Sequence, residues 1–276
     1  MTDAKIALLP DRGVVAVTGE DARKFLDNII TNDMDLLDKQ EAIFTGLLSP
    51  QGKILFDFFI VRHRDEYLLD VAKDKAADLI KRLSMYRLRA KVAIAERPDL
   101  HVIALWPLDS VGFADSRFAA LGGRQIADAA LADAELYEAY HAHRISLGVP
   151  EGGKDFAFGE AFPHEALFDQ LNGVSFTKGC YVGQEIVARM EHRGTARKRI
   201  VRVSGEGVLP VAGTDVLAGE VVIGAVGSNS GSLGLALLRL DRVLEFAAKG
   251  VGLTAGGVRI VADASDVARL APKVAG

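Results

Sequence analysis

The 276-residue chain sets 33 lysines and arginines against 37 aspartates and glutamates, for a net charge of -4. With no general attraction to phosphate backbones, direct nucleic-acid binding is not expected, and 49% hydrophobic with 25% charged residues is the make-up of a globular chain with a sizeable core. The single cysteine, Cys180, excludes an internal disulfide and a four-cysteine zinc or iron–sulfur site within one monomer, and it fits a reducing, cytoplasmic setting.

The opening Met1-Thr2-Asp3-Ala4-Lys5 lacks the apolar region of a secretory signal, and Asp3 and Asp11 argue against an arginine-rich transit peptide. No run reaches about 18 apolar residues, so no membrane partner is expected. Val14 to Val17 reads as a strand. Thr18 is placed to cap a helix, with Asp21 in a capping-box-like position. Ala22, Phe25, Leu26, Ile29 and Ile30 follow with helical spacing, closed by the turn-prone Thr31-Asn32-Asp33. Ala42 to Leu48 predicts a strand, Ser49-Pro50-Gln51-Gly52 a tight turn, and Ile54 to Val61 a strand apolar on both faces. Only Asp57 interrupts that strand, and a carboxylate there is costly unless paired or functional.

Tyr67 to Val71 predicts a third strand. Asp74 to Met85 predicts an amphipathic helix with Ala76, Leu79, Ile80 and Leu83 on its buried stripe. Strands are expected near Lys91 to Glu96 and His101 to Leu105. Phe118 to Ala134 reads as loop and short helix. Leu136 to Leu147 reads as a helix stopped by Gly148 and Pro150, and Glu151 to Gly159 as a charged, glycine-rich loop. Arg197-Lys198-Arg199 reads as a solvated junction. Beyond it, short apolar runs separated by glycines predict a small β-barrel and a loose end. Arg87, Arg89 and Lys91 cluster near a helix end. Their plain reading is favourable charge at a helix C-terminus, and their functional reading is a dock for a polyglutamate tail or an acidic partner. His141 and His143, two apart on a helix, fall on different faces and make no metal pair.

The densest stretch runs from Phe176 to Arg193. Gly179 and Gly183 permit tight bends or close approach, and Gln184 to His192 is helix-compatible. Cys180 is therefore expected in the loop just before a helix N-terminus, solvent-accessible, where the helix dipole and Lys178 favour the thiolate.

Lys178-Gly179-Cys180-Tyr181-Val182-Gly183-Gln184-Glu185 resembles the K-G-C-Y-x-G-Q-E signature of the YgfZ/Iba57-type folate-binding family of the glycine-cleavage T-protein superfamily. The likeness runs from about residue 8 to about residue 245. It takes in Val17-Thr18-Gly19-Glu20-Asp21-Ala22 through Thr31-Asn32-Asp33, and Leu48-Ser49-Pro50-Gln51-Gly52-Lys53-Ile54-Leu55. It continues in Arg144-Ile145-Ser146-Leu147-Gly148 and Phe162-Pro163-His164-Glu165. The resemblance implies an α+β fold: a three-domain, ring-like arrangement of mixed or antiparallel sheets and helices with a C-terminal β-barrel. The domains expected are 1–45 with 144–196, an inserted 46–143, and 197–276.

The resemblance also implies tetrahydrofolate or a folate derivative as cofactor, held in a cavity surrounded by the domains, with no stable metal in the monomer. The implied role is in biogenesis or maintenance of iron–sulfur proteins, including radical enzymes that modify tRNA, with iron–sulfur client or assembly proteins as partners. Cys180 and Lys178 are then the expected reactive pair. Asn32, Asp57, Glu165, Tyr181, Gln184, Glu185 and Arg193 are the expected folate contacts, and Gly179 and Gly183 shape the loop. A folate-dependent one-carbon transferase or demethylase is the alternative. Phe56 stands where T-proteins tend to carry an acidic residue, and no G-Y-T-G-E-type segment is recognisable; both departures argue against aminomethyl transfer.

Overall fold

The computed structural model describes residues 5–106, 112–127, 136–194 and 196–272. The chain forms two compact units: Met1–Tyr140 with Phe168–Gln184, and His141–Leu167 with Glu185–Gly276.

The first unit contains β1 (Lys5–Leu8), β2 (Arg12–Thr18), α1 (Ala22–Asp27), β3 (Ala42–Leu48), β4 (Ile54–His63), β5 (Glu66–Ala72), α2 (Ala76–Arg87), β6 (Ala93–Glu96), β7 (His101–Trp106), β8 (Phe113–Ala114) and β9 (Gly123–Ala127). Five strands pair antiparallel in the order β3-β4-β5-β2-β6, and four more in the order β1-β7-β9-β8. Side chains alternate between the two faces of a strand, and both faces of the larger sheet are buried here. Val15 and Val17 of β2 join Phe25, Leu26, Leu79 and Leu83 of the helices in one core. Val14 and Ala16 join Val102, Ala104 and Trp106 of the smaller sheet in the other. That double burial explains why β4 reads as a nearly unbroken apolar run.

Charge is buried between these sheets too. Asp70 on β5 receives Arg12 Nε at 2.6 Å and an Arg124 guanidinium nitrogen at 2.7 Å, and Asp115 takes Arg117 at 2.8 Å and Arg124 at 3.2 Å. The Arg124 and Arg117 guanidinium groups also lie 4.5 and 5.0 Å from the centre of the Phe59 ring. Arg124 sits on β9, a strand within the stretch expected to be loop and short helix. Its glycines and alanines hide the strand from periodicity, and its identity rests on pairing with β7.

Two further local expectations change. Thr18 ends β2 rather than capping α1, and Asp21 makes no cap hydrogen bond with its side chain. Its carboxylate instead accepts from the Lys91 backbone N–H at 2.8 Å. The helix also stops at Asp27, although Ile29 and Ile30 remain buried beyond it.

The second unit is built around a closed antiparallel barrel in the order β10-β13-β12-β11-β14-β15. Two helices of the chain, α3 (Tyr137–Ser146) and α4 (Gln184–Arg193), straddle the boundaries between units. The barrel strands are β10 (Lys198–Gly205), β11 (Asp215–Ala218), β12 (Val221–Ser230) and β13 (Leu233–Arg239), followed by α5 (Leu240–Ala248), β14 (Leu253–Ala255), β15 (Val258–Ala262) and α6 (Ala264–Leu270). The expected solvated junction holds for the exposed Arg197 and Lys198 and is corrected at Arg199: Lys198 already opens β10, and Arg199 is only 5% exposed within it. Helix α5 interrupts the barrel strands, and the expected loose end after them contains α6. Arg144 on α3 is buried in this unit, donating to Asp155 at 2.8 Å, to Ser228 Oγ at 2.7 Å, to the Val149 carbonyl and to His141 Nδ1.

The fold is thus of the expected class, α+β with antiparallel sheets, helices and a C-terminal β-barrel. The two compact units follow other cuts than the three expected domains. The expected division at 45/46 falls inside β3, which pairs with β4 without a break from Ala42 opposite Val61 to Leu47 opposite Phe56. Among the described residues, no helix is long and apolar enough to cross a membrane.

Candidate functional site

The cysteine loop is assembled in the first unit from three stretches of sequence. The first rungs come from Thr31 and Asn32, just beyond α1. Thr31 Oγ1 donates to the Gly173 carbonyl at 2.6 Å and accepts from the Gly46 N–H at 2.9 Å. The Ser175 N–H donates to the Thr31 carbonyl at 2.9 Å. Asn32 is 3% exposed, and its carboxamide donates to the Phe44 carbonyl at 2.8 Å and the Asn172 carbonyl at 2.7 Å. Short polar side chains satisfy buried main-chain groups that no ladder reaches. They thereby fix residues 172–175 to the sheet about 140 positions away in sequence, the separation of the Asn32–Asn172 pair.

Lys178 is the next anchor. Its side chain is 2% exposed. The ammonium donates to the Asp27 carbonyl, to Asp27 Oδ1 at 3.1 Å, to the Ile30 carbonyl at 3.2 Å and to the Asn32 carbonyl at 2.7 Å. It also lies 5.6 Å from the Tyr181 ring centre. A cation where helix α1 ends, with carbonyls unpaired by the helix itself, is favourable. Burial pushes the Lys178 pKa down, while Asp27 works in the opposite direction. The expected use of Lys178 as a cation acting on the thiol competes with this one: an ammonium has three protons, and four acceptors surround it. Its evident work is to position the loop. Asp27 was not singled out from the sequence, where it reads only as a polar residue off the apolar stripe of α1.

Tyr181 is 8% exposed, and loss of solvent raises its phenol pKa to about 12. Gly183 has φ +82°, and a Cβ there would meet the Ser49 carbonyl oxygen at 2.6 Å and Gly52 Cα at 3.1 Å. This is the close approach that glycine alone allows, and it seats the loop on the Ser49-Pro50-Gln51-Gly52 turn. Gly179 differs. A Cβ there would meet open space, and its φ is not left-handed. Between the buried Lys178 and Tyr181 side chains, Cys180 is exposed. It stands four residues before the first residue of α4. Gln184 opens that helix, and its N–H donates to the Tyr181 carbonyl at 3.3 Å.

Asp57 lies on β4 opposite Gly46. It is 4% exposed and shares a sheet face with Phe59. The Phe168 ring fills the space that a Gly46 side chain would need, 2.7 Å from the ideal Cβ. Glu165, Glu185 and Arg193 belong to the second unit. Glu165 accepts from the Phe162 N–H at 2.9 Å, and neighbouring His164 meets Glu191 of α4 at 3.0 Å. Glu185 and Arg193 are exposed in the first and last turns of α4. The structure therefore brings Asn32, Lys178 and Tyr181 together. It assigns Glu165, Glu185 and Arg193 to the other unit.

Residues 11–106 match the model of the GCVT N-terminal domain, and residues 197–270 that of the CAF17 C-terminal beta-barrel domain. The solved structure of the glycine cleavage system aminomethyltransferase T from Bartonella henselae is similar in fold. Its TM-score is 0.71 at 16% identity, covering 98% of this chain and 87% of that one. Curated relatives are named iron–sulfur cluster assembly factor IBA57, mitochondrial. The chain is 32% identical to those of Mus musculus and Homo sapiens, with 85% of this chain and 77% of each relative covered. It is 35% identical to the homologue of Mycosarcoma maydis over 72% of this chain, spanning 57% of that relative's length. The cytoplasmic setting expected from the single reduced cysteine is overturned, because these relatives are named mitochondrial and a lone thiol does not distinguish the two compartments. The cysteine loop, the barrel and these identities lead to one conclusion: the chain belongs to the IBA57/YgfZ-like family of the glycine-cleavage T-protein superfamily.

Proposed function

We propose that this chain is a tetrahydrofolate-binding accessory factor for the biogenesis or maintenance of iron–sulfur proteins, tRNA-modifying radical enzymes among its clients, with the Cys180 thiol as its working group. The observation that carries this reading is the placement of Cys180. It is an exposed thiol flanked by the buried side chains of Lys178 and Tyr181, which anchor the loop on either side of it. The names of the relatives point to the same process. A [2Fe–2S] or [4Fe–4S] cluster takes four protein ligands. One cysteine per chain supplies one, so the rest come from a partner or client. The purified monomer is accordingly expected to hold no stable cluster; stoichiometric iron and sulfide in anaerobically purified monomer would contradict this.

For folate, the donor sets of the expected contacts differ. Asp57 suits the role, since a buried carboxylate can accept from the ring N–H groups of a pterin. Asn32 suits it less, because its amide already donates to two main-chain carbonyls. Calorimetry with tetrahydrofolate tests the assignment on wild type, Asp57→Ala and Cys180→Ala. Saturable heat weakened by Asp57→Ala, without chemical change in the folate, supports an accessory factor. One-carbon turnover lost in Cys180→Ala would instead favour a transferase. No heat at concentrations near 1 mM, about 4 kcal/mol of binding, removes folate from the account.

A further inference from the structure

The C-terminal end of α2 carries features that neither the cysteine loop nor a folate site uses. Residues Lys81 to Lys91 hold five cations and no acidic residue, in a chain whose net charge is -4. Beside them is a cleft of about 340 Å³, with Phe25, Ile29 and Tyr86 in its wall and Lys24, Arg87 and Arg89 around it. That volume lies within the range of small binding pockets.

Acidic groups nearby are already engaged. The Asp21 carboxylate takes the Lys91 backbone N–H, and the Lys91 ammonium pairs with Glu20. Among the described residues, Lys24, Arg87 and Arg89 have no carboxylate partner. The helix dipole accounts for Arg87, which closes α2, but its influence fades beyond the last turn, where Arg89 and Lys91 lie. It also leaves two apolar side chains unexplained. Leu88 is 90% exposed and Met85 64% exposed. Leu88 moreover has φ 43° and ψ -106°, a conformation disfavoured for a residue with a Cβ. A large apolar side chain held in solvent on a strained backbone, next to cations that no carboxylate neutralises (Arg87 meets only the Val92 carbonyl, at 3.4 Å), is a common make-up of a contact surface.

We propose that this surface docks an acidic segment of a partner protein, with one apolar side chain of that segment seated in the cleft and its carboxylates on Lys24, Arg87 and Arg89. The charge is complementary, and the concave shape suits a protruding side chain. A bilayer is the poorer fit. The apolar stripe of α2, with Ala76, Leu79 and Leu83, is buried in the core, which leaves no continuous apolar face to enter lipid. This inference stands apart from the folate and iron–sulfur reading.

The test uses the full chain and a fluorescein-labelled oligoglutamate peptide with one central phenylalanine. Fluorescence anisotropy should show saturable binding, with a Kd on the order of 10–100 µM at low salt. Added salt should weaken it, as should replacing the phenylalanine with serine. Arg87→Glu combined with Arg89→Glu should lower affinity about tenfold or more without changing circular dichroism. Arg87→Gln combined with Arg89→Gln should give a smaller loss, and this pair carries the test if charge reversal disturbs the fold. The proposal is overturned by an absence of saturation up to about 1 mM peptide, or by variants that bind like wild type. It is equally overturned if phosphatidylglycerol vesicles or a single-stranded RNA oligonucleotide bind more tightly than the peptide.

Discussion

Two cationic regions of the first unit make opposite use of their charge. In the cysteine loop, the Lys178 side chain is 2% exposed and its ammonium is surrounded by three carbonyls and a carboxylate. At the end of α2, Arg87, Leu88 and Arg89 all stand in solvent. By neighbours in sequence alone, the roles come out the other way round, with Lys178 beside a reactive thiol and Arg87 and Arg89 serving a helix dipole. What separates the two cases is whether a cation's donors are already spent. A charge whose hydrogen bonds are complete positions its surroundings, while one that no carboxylate neutralises is available to an acidic ligand.

The largest effect expected from breaking this contrast is on Lys178. Lys178→Ala should destabilise the protein by about 2–3 kcal/mol, because the acceptors left behind lose a shared donor in a largely dry site. The partial exposure of Asp27, at 38%, keeps the loss from being larger. Urea denaturation measures it, and a change within about 0.5 kcal/mol, as for an ordinary surface substitution, would remove the clamp from the account. Arg87→Ala supplies the control at the other region and should fall within about 1 kcal/mol, the range of a dipole contribution.

Next come the two glycines of the motif, which look alike in sequence. Gly183→Ala should cost about 2 kcal/mol, since both the left-handed backbone and the contact with the Ser49 carbonyl oppose a Cβ. Gly179→Ala should stay within about 0.5 kcal/mol. Equal effects would mean that the loop is not seated on the Ser49–Gly52 turn.

The smallest effect is confined to alkaline pH. The folded state holds the Tyr181 phenol proton up to about 12, against about 10 for a tyrosine in water. The unfolded chain therefore releases that proton first, and the contribution of Tyr181 to stability declines as pH rises between these values. Absorbance at 295 nm should show a tyrosinate step near pH 12 that is missing in Tyr181→Phe. If the step persists in the variant, Tyr181 is not the buried phenol.

Much of the fold is legible in the sequence where periodicity is strong. The strands β2 to β5, the stripe of α2 and the helix after the cysteine follow from alternation and from 3.6-residue spacing. The misses have physical causes. Strand β9 is written in Gly123, Arg124, Gln125, Ile126 and Ala127, and its buried arginine reads as polar loop until Asp70 and Asp115 are found beside it. Asp21 serves Lys91, about 70 positions away, rather than its own helix. The cysteine motif itself was readable as a motif, but not as an assembly. That Thr31 and Asn32 hold residues 172–178, or that Gly183 needs the Ser49–Gly52 turn, depends on tertiary contacts that local spacing does not encode.

The central claim is that this assembly presents one thiol to solvent, and alkylation of Cys180 in the native protein tests it most directly. Iodoacetamide at neutral to mildly alkaline pH, followed by intact-mass measurement, should give a single adduct on folded wild type at a rate comparable with the unfolded chain, and none on Cys180→Ser. A cysteine that stays unmodified while the protein is folded and reacts only after unfolding would be a buried structural residue, and the role given to Cys180 would be wrong.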